Sequence, residues 1–185
     1  MVTAGSPTTL RVLNANLAQR IMSADAAAAR IRSGDQVGMS GFTGSGYPKA
    51  VPIELARCIA EANLHGQKFQ VSVFTGASTG PELDGALAMA GGIHLRLPYQ
   101  SDPETRKRIN AGEMDYIDIH LSHVAQFVEY GFLGKLDVAL IEVTAVLENG
   151  RLIPSHVHRQ QQNMDRSGEA RDARSELVAT GRSRG

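Results

Sequence analysis

From Ser23 onward the apolar positions follow two alternating rhythms. Short apolar runs suited to strands are separated by stretches whose apolar residues recur every three or four positions, as on one face of a helix. Ser23 and the alanine-rich segment after it predict a capped helix that stops before Gly34. Residues 36–40 predict the first strand, and residues 48–64, with Val51, Leu55, Ile59 and Ala62 near one face, predict a helix opening on Pro48. Further strands are expected at 69–75, 94–99, 116–121 and 136–146, the last being the most strand-like run of all. Helices are expected at 81–90, 103–111 and 125–130. Strands alternating with helices give βαβ units, so the fold class is α/β, with an open, mainly parallel sheet flanked by helices.

In such a sheet, ligands bind outside the carboxyl ends of the strands, and the loops there hold the chemically interesting residues. Residues 38–52 read G-M-S-G-F-T-G-S-G-Y-P-K-A-V-P, a strand breaking into a glycine-rich turn. Gly41, Gly44 and Gly46 admit positive φ and lack a Cβ, which lets backbone N–H groups approach an anion or acyl ligand. Phe42, Thr43, Tyr47 and Pro48 complete this candidate cradle, and a helix starting at Pro48 aims its unpaired amides at the same spot. The glycine order matches neither the dinucleotide fingerprint nor the P-loop. A plain packing turn is the competing explanation.

A second small-residue turn, Gly76-Ala-Ser-Thr-Gly80, follows the next strand and contributes Gly76, Ser78, Thr79 and Gly80. Gln100 and Ser101 sit on the loop after a third strand, where they suit either a substrate carboxylate or simple loop capping. Glu142, within the 136–146 run, either lines the crevice or pairs with a neighbouring donor. Lys49 either meets a phosphate or stays solvated. Ser78 imitates the G-x-S-x-G elbow of serine hydrolases, although Thr79-Gly80-Pro81 favours a turn and a helix start. His94, His120 and His123 show no zinc-like spacing, so no metal is expected.

Composition narrows the field. The 185 residues carry 19 basic and 19 acidic side chains, so no net field favours nucleic acid or an anionic membrane. The single cysteine, Cys58, has no internal disulfide partner, which fits a reducing compartment. No segment has transmembrane length, and residues 1–13 lack a secretory core, so a soluble, cytoplasmic protein is expected.

The segments around 38–52, F-T-G-A-S-T-G-P-E-L-D-G, L-P-Y-Q-S-D-P with Arg106 and I-N-A-G-E, Y-I-D-I-H-L-S, and L-D-V-A-L-I-E-V stand in that order between about residues 23 and 154. Together they resemble the amino-terminal half of the acetyl-CoA hydrolase/transferase family, which includes succinyl-CoA:acetate CoA-transferases. The resemblance implies two stacked α/β halves between which a coenzyme A thioester, as substrate, meets a small carboxylate in acetate and acyl-CoA metabolism. It implies no covalently bound cofactor. It also implies a glutamate nucleophile that passes through an acyl-glutamyl anhydride and a glutamyl-CoA thioester. That glutamate belongs to a carboxyl-terminal half this chain lacks, so no catalytic residue is expected here and the chain alone should be inactive. A stand-alone CoA- or carboxylate-binding module and a serine hydrolase using Ser78 are the alternatives.

The expected organisation is a lead-in at 1–22, the α/β domain at 23–154 and a tail at 155–185. Residues 156–185 hold six arginines, no lysine, no aromatic residue and no apolar period, which predicts disorder. Acidic residues interrupt the positive charge, so a nucleic-acid arm is not expected. Read one base later, the codons for 159–165 permit G-N-N-K-T-W and those for 173–180 permit L-E-V-N-x-W-Q, strings similar to what the family carries after L-I-P-S. A frameshifted, prematurely ended copy is therefore expected, with apolar surface left to self-associate where the other half would pack.

Overall fold

The computed structural model describes residues 12–155, so the expectations for residues 1–11 and for the arginine-rich segment 156–185 lie outside the described residues. Two short helices, α1 (Ala15–Ala18) and α2 (Ala24–Ala28), lead to strand β1 (Gln36–Met39). Then follow α3 (Ala50–Leu64), β2 (Val71–Phe74), a π-helical turn (Pro81–Gly85) continued by α4 (Ala86–Met89), β3 (Ile93–Leu97), α5 (Pro103–Asn110), β4 (Asp115–Tyr116), α6 (Leu121–Glu129) and β5 (Val138–Leu140). A hairpin, β6 (Val143–Val146) with β7 (Leu152–Pro154), closes the described chain.

The five strands β1 to β5 are parallel and lie in the order β4-β3-β2-β1-β5. The chain steps outward from β1 to β4 and returns on the other side of β1 as β5. With right-handed crossovers, this reversal moves the connecting helix to the opposite face of the sheet. The packing follows that rule. Val37, Met39, Val71 and Val73 meet Val51, Leu55 and Ile59 of α3 and Leu83 and Leu87 beyond β2 in the main core. Phe74 and Leu97 meet Val124, Leu121 and Val128 of α6 in a second, smaller cluster. Burying each such aliphatic side chain contributes roughly 1.5–3 kcal/mol, and this fixes both the face α3 presents and the direction of the strands beneath it.

Several element boundaries differ from expectation. Helix α3 does not open on Pro48. Its first residue is Ala50, with Lys49 at the N-cap position making no side-chain capping bond, and Ile53 N–H bonds to Lys49 O at 3.2 Å. Pro52 is the proline inside the first turn, where its missing N–H costs no helical bond. The 136–146 run is two strands in two sheets. Ser40 N–H takes the last ladder bond to Leu140 O at 2.8 Å, and Ser40 Oγ then accepts from Glu142 N–H at 2.9 Å, ending β5. The 116–121 run is strand only at its start, and Leu121 already belongs to α6. There Leu121, Val124, Ala125 and Val128 recur at helical spacing behind an N-cap at His120. The β6–β7 hairpin turns through Glu148 and Asn149, closed by Gly150 N–H to Leu147 O at 2.9 Å, with Gly150 in the left-handed conformation (φ 81°) that follows such a turn.

Candidate functional site

The reversal between β1 and β5 is a topological switch point, the place where open α/β sheets leave a crevice between diverging loops. The loop after β1 is held there by Ser40. Its hydroxyl donates to Gly46 O at 2.7 Å while accepting from Glu142 N–H, so one buried serine ties the cradle to the chain leaving β5. The cradle itself is a miniature hairpin. Phe42 N–H bonds to Ser45 O at 2.9 Å and Ser45 N–H to Phe42 O at 3.1 Å. Its two central residues, Thr43 (φ 44°) and Gly44 (φ 81°), both adopt the left-handed conformation of a type I′ turn. The tip at Thr43 and Gly44 is exposed.

Tyr47 links this hairpin to the second glycine-rich turn. Its side chain is buried, and a Cβ on Gly41 would lie 3.0 Å from Tyr47 Cα. A Cβ on Gly80 would lie 2.7 Å from the Tyr47 ring carbon that bears the hydroxyl. Both glycines therefore make room for Tyr47. The Tyr47 hydroxyl donates to Glu82 Oε2 at 2.5 Å, and burial together with that carboxylate pushes the phenol pKa up. The same bond holds the Glu82 carboxyl below its ordinary range. Lys49 Nζ lies 4.0 Å from the centre of the Tyr47 ring, bonds to Tyr47 O at 3.0 Å and pairs with Glu142 Oε2 at 3.1 Å. Glu82, Tyr47, Lys49 and Glu142 thus form a continuous chain across the loops after β2, β1 and β5.

Beneath the rim lies a polar network that sequence reading missed. Arg96 and Asp84 are both fully buried and joined by Nε to Oδ1 at 2.9 Å and Nη2 to Oδ2 at 3.1 Å. Arg96 also donates to Thr75 Oγ1 at 2.8 Å, Ala77 O at 3.3 Å and Leu97 O. Asp84 Oδ2 accepts from both the amide and the hydroxyl of Thr79, each at 2.7 Å. Burial alone would raise the Asp84 carboxyl, but the Arg96 charge and hydrogen bond, with the Thr79 amide, hold it below its ordinary value. The signal in the sequence was an arginine inside the apolar run Leu95-Arg96-Leu97 at the end of β3; only the fold supplies its partner.

Ser78 and Gln100 belong to this network. Ser78 Oγ donates to Gln100 Oε1 at 2.6 Å, and that oxygen also accepts from Asp102 N–H at 2.8 Å. A serine whose hydroxyl is held by an amide oxygen has no base there to take its proton, so the hydrolase elbow does not form at Ser78. Asp102 in turn caps α5 through Thr105 N–H at 2.9 Å. Ser78, Thr79 and Gln100 are buried, Gly76, Gly80, Pro48 and Glu142 are half-buried, and Ser101 is exposed. The loops after β1, β2, β3 and β5 therefore meet along one edge of the molecule, with Thr43, Gly44, Lys49, Tyr99 and Ser101 exposed there.

The amino-acid sequence matches a family model for the acetyl-CoA hydrolase/transferase N-terminal domain over residues 9–164. The chain belongs to this family. Relatives of the acetyl-CoA hydrolase/transferase domain include a succinyl-CoA:acetate CoA-transferase of Clostridium kluyveri, 45% identical over 145 residues, which are 78% of this chain and 26% of that protein. A propanoyl-CoA:succinate CoA transferase of Escherichia coli is 43% identical over 131 residues, or 71% of this chain and 27% of that protein. An acetyl-CoA hydrolase of Schizosaccharomyces pombe is 38% identical over 151 residues, covering 78% and 29% of the respective chains. This domain thus spans about a quarter of the length of the curated relatives it matches. Among solved structures, RipA from Yersinia pestis superposes with a TM-score of 0.59 at 16% identity, covering 80% of this chain and 35% of RipA, a likeness of fold. Among the described residues no helix is long and apolar enough to cross a membrane.

Proposed function

We propose that this domain forms one wall of a site where an acyl-CoA thioester and a small carboxylate exchange or release coenzyme A. The observation that carries the reading is the meeting of the loops after β1, β2, β3 and β5 at the switch point, tied together by Ser40, Tyr47 and Ser78. The exposed hairpin tip at Thr43-Gly44 offers backbone donors to an acyl or phosphate oxygen, and Ser101 offers a hydroxyl on the same edge. Coenzyme A is substrate here, and the reading needs no covalently bound cofactor.

The rim carboxylates are already engaged, Glu82 by Tyr47 and Glu142 by Lys49, and neither is poised as a free nucleophile. In this reading the nucleophile, as the family resemblance implies, comes from outside this wall, from the portion that the relatives carry beyond the quarter matched here. Exposed Tyr130 and Phe132, beside Phe127 on α6, are apolar surface for such a companion and a source of self-association in its absence. The purified 185-residue chain, assayed for CoA exchange between acetyl-CoA and succinate, is expected to give no turnover, while calorimetry with acetyl-CoA gives weak binding. Robust turnover by the chain alone would overturn the assignment of the nucleophile. Absence of any binding, even at millimolar ligand, would count against the wall itself.

A further inference from the structure

We propose that the buried Arg96–Asp84 pair is the positioning element of this rim: it sets the turn at residues 75–79 and, through Ser78, the Gln100 carboxamide, so that the loops after β2 and β3 offer one preset polar surface to a ligand oxygen. The inference rests on the functional reading above and adds residues to it. Four polar groups of the turn end on the same two side chains: the Thr75 hydroxyl and Ala77 carbonyl on Arg96, the Thr79 amide and hydroxyl on Asp84. Ser78 lies between these anchored residues, and its hydroxyl donates at 2.6 Å to Gln100 Oε1, with Thr79 O farther off at 3.5 Å.

Asp102 N–H holds that same oxygen from the other side, which fixes which end of the carboxamide faces inward. The Gln100 side chain is also among the groups that hold the Asp84 carboxyl down, the last of them in size, so its amide lies toward that carboxylate. Its Nε2 is buried and meets no acceptor among the described residues at full hydrogen-bond geometry. A buried ion pair contributes little stability relative to an apolar pair of the same size, whereas it fixes geometry strongly. Its place under two functional loops, away from the centre of the main core, fits the second role.

The test uses the full 185-residue chain, isotopically labelled, with acetate as the carboxylate probe and nuclear magnetic resonance of the Gln100 side-chain amide and the Thr79 backbone amide as readouts. Thr75→Val removes the hydroxyl that Arg96 grips at nearly constant size, and Thr75→Ser keeps it. In Thr75→Val the resonances of β1 and α3 are expected to stay in place while those of Gln100 and Thr79 move, with acetate affinity at Gln100 falling at least tenfold. Thr75→Ser should restore both to within twofold of the parent. Asp84→Asn, where it folds, should reproduce the Thr75→Val spectrum at these two residues. Unmoved Gln100 and Thr79 resonances in Thr75→Val, with acetate affinity within twofold of the parent, would overturn the positioning role. If acetate shifts no Gln100 resonance in the parent chain, the carboxylate reading fails instead. The positioning role is then still decided by whether Thr75→Val moves those two residues.

Discussion

Tyr47 illustrates how one side chain changes the meaning of its neighbours. Read along the chain, Gly41 and Gly80 are two glycines in two turns far apart; in the fold both face the same tyrosine, and a side chain at either would collide with it. Gly80→Ala is therefore expected to lose about 1–3 kcal/mol, as overpacking of a filled site does. Tyr47→Phe removes the hydroxyl donated to Glu82 and is expected to lose about 1 kcal/mol, since the half-buried carboxylate regains water. The atom nearest the new methyl in Gly80→Ala is that same hydroxyl oxygen. The double variant should consequently lose less than the two singles combined. Denaturant midpoints of the four proteins check this, and strict additivity would mean that Tyr47 does not lie on Gly80.

At the scale of elements, the hairpin at Phe42–Ser45 shows local geometry imposed by its surroundings. Thr43 is the one non-glycine residue with positive φ among the described residues, and a β-branched side chain is poorly suited to that conformation. Asparagine tolerates it, and Asn-Gly is the favoured centre of a type I′ turn. Thr43→Asn is expected to raise stability by about 0.5–1 kcal/mol, measured by chemical unfolding, while leaving the Phe42–Ser45 bonds intact. Helix α3 was readable because Val51, Leu55 and Ile59 repeat at helical spacing and all three are buried. Its start was not, because Pro48 and Pro52 are both acceptable near a helix end, and the choice falls to Lys49, which is tethered to Tyr47 and Glu142. The 136–146 run deceived for a related reason. Its apolar residues suit a strand throughout, but the Ser40 hydroxyl takes the Glu142 N–H and ends the ladder, a contact across 102 residues that no local pattern contains.

For the molecule as a whole, acid should unmask the buried pair. The Asp84 carboxyl is held below its ordinary value of 3.8, so it binds its proton less readily folded than unfolded. The stability this contributes is fully present above the unfolded value and is lost as pH falls through the lower, folded one. Unfolding free energy should accordingly drop below about pH 4. Asp84→Asn should start about 3–5 kcal/mol lower at neutral pH, because Arg96 is left buried and unpaired, and should show a shallower fall in acid. An unchanged acid profile in that variant would place the sensitive group elsewhere. The α/β class, the helix faces and the chemical character of the turns followed from the sequence alone, since periodicity and glycine placement act over a few residues and are written there directly. Which loops share an edge, that two glycines serve a tyrosine, and that Arg96 finds Asp84 were decided only in three dimensions. Each depends on strand order and on the reversal between β1 and β5, which bring together residues whose separation along the chain carries no mark of their contact.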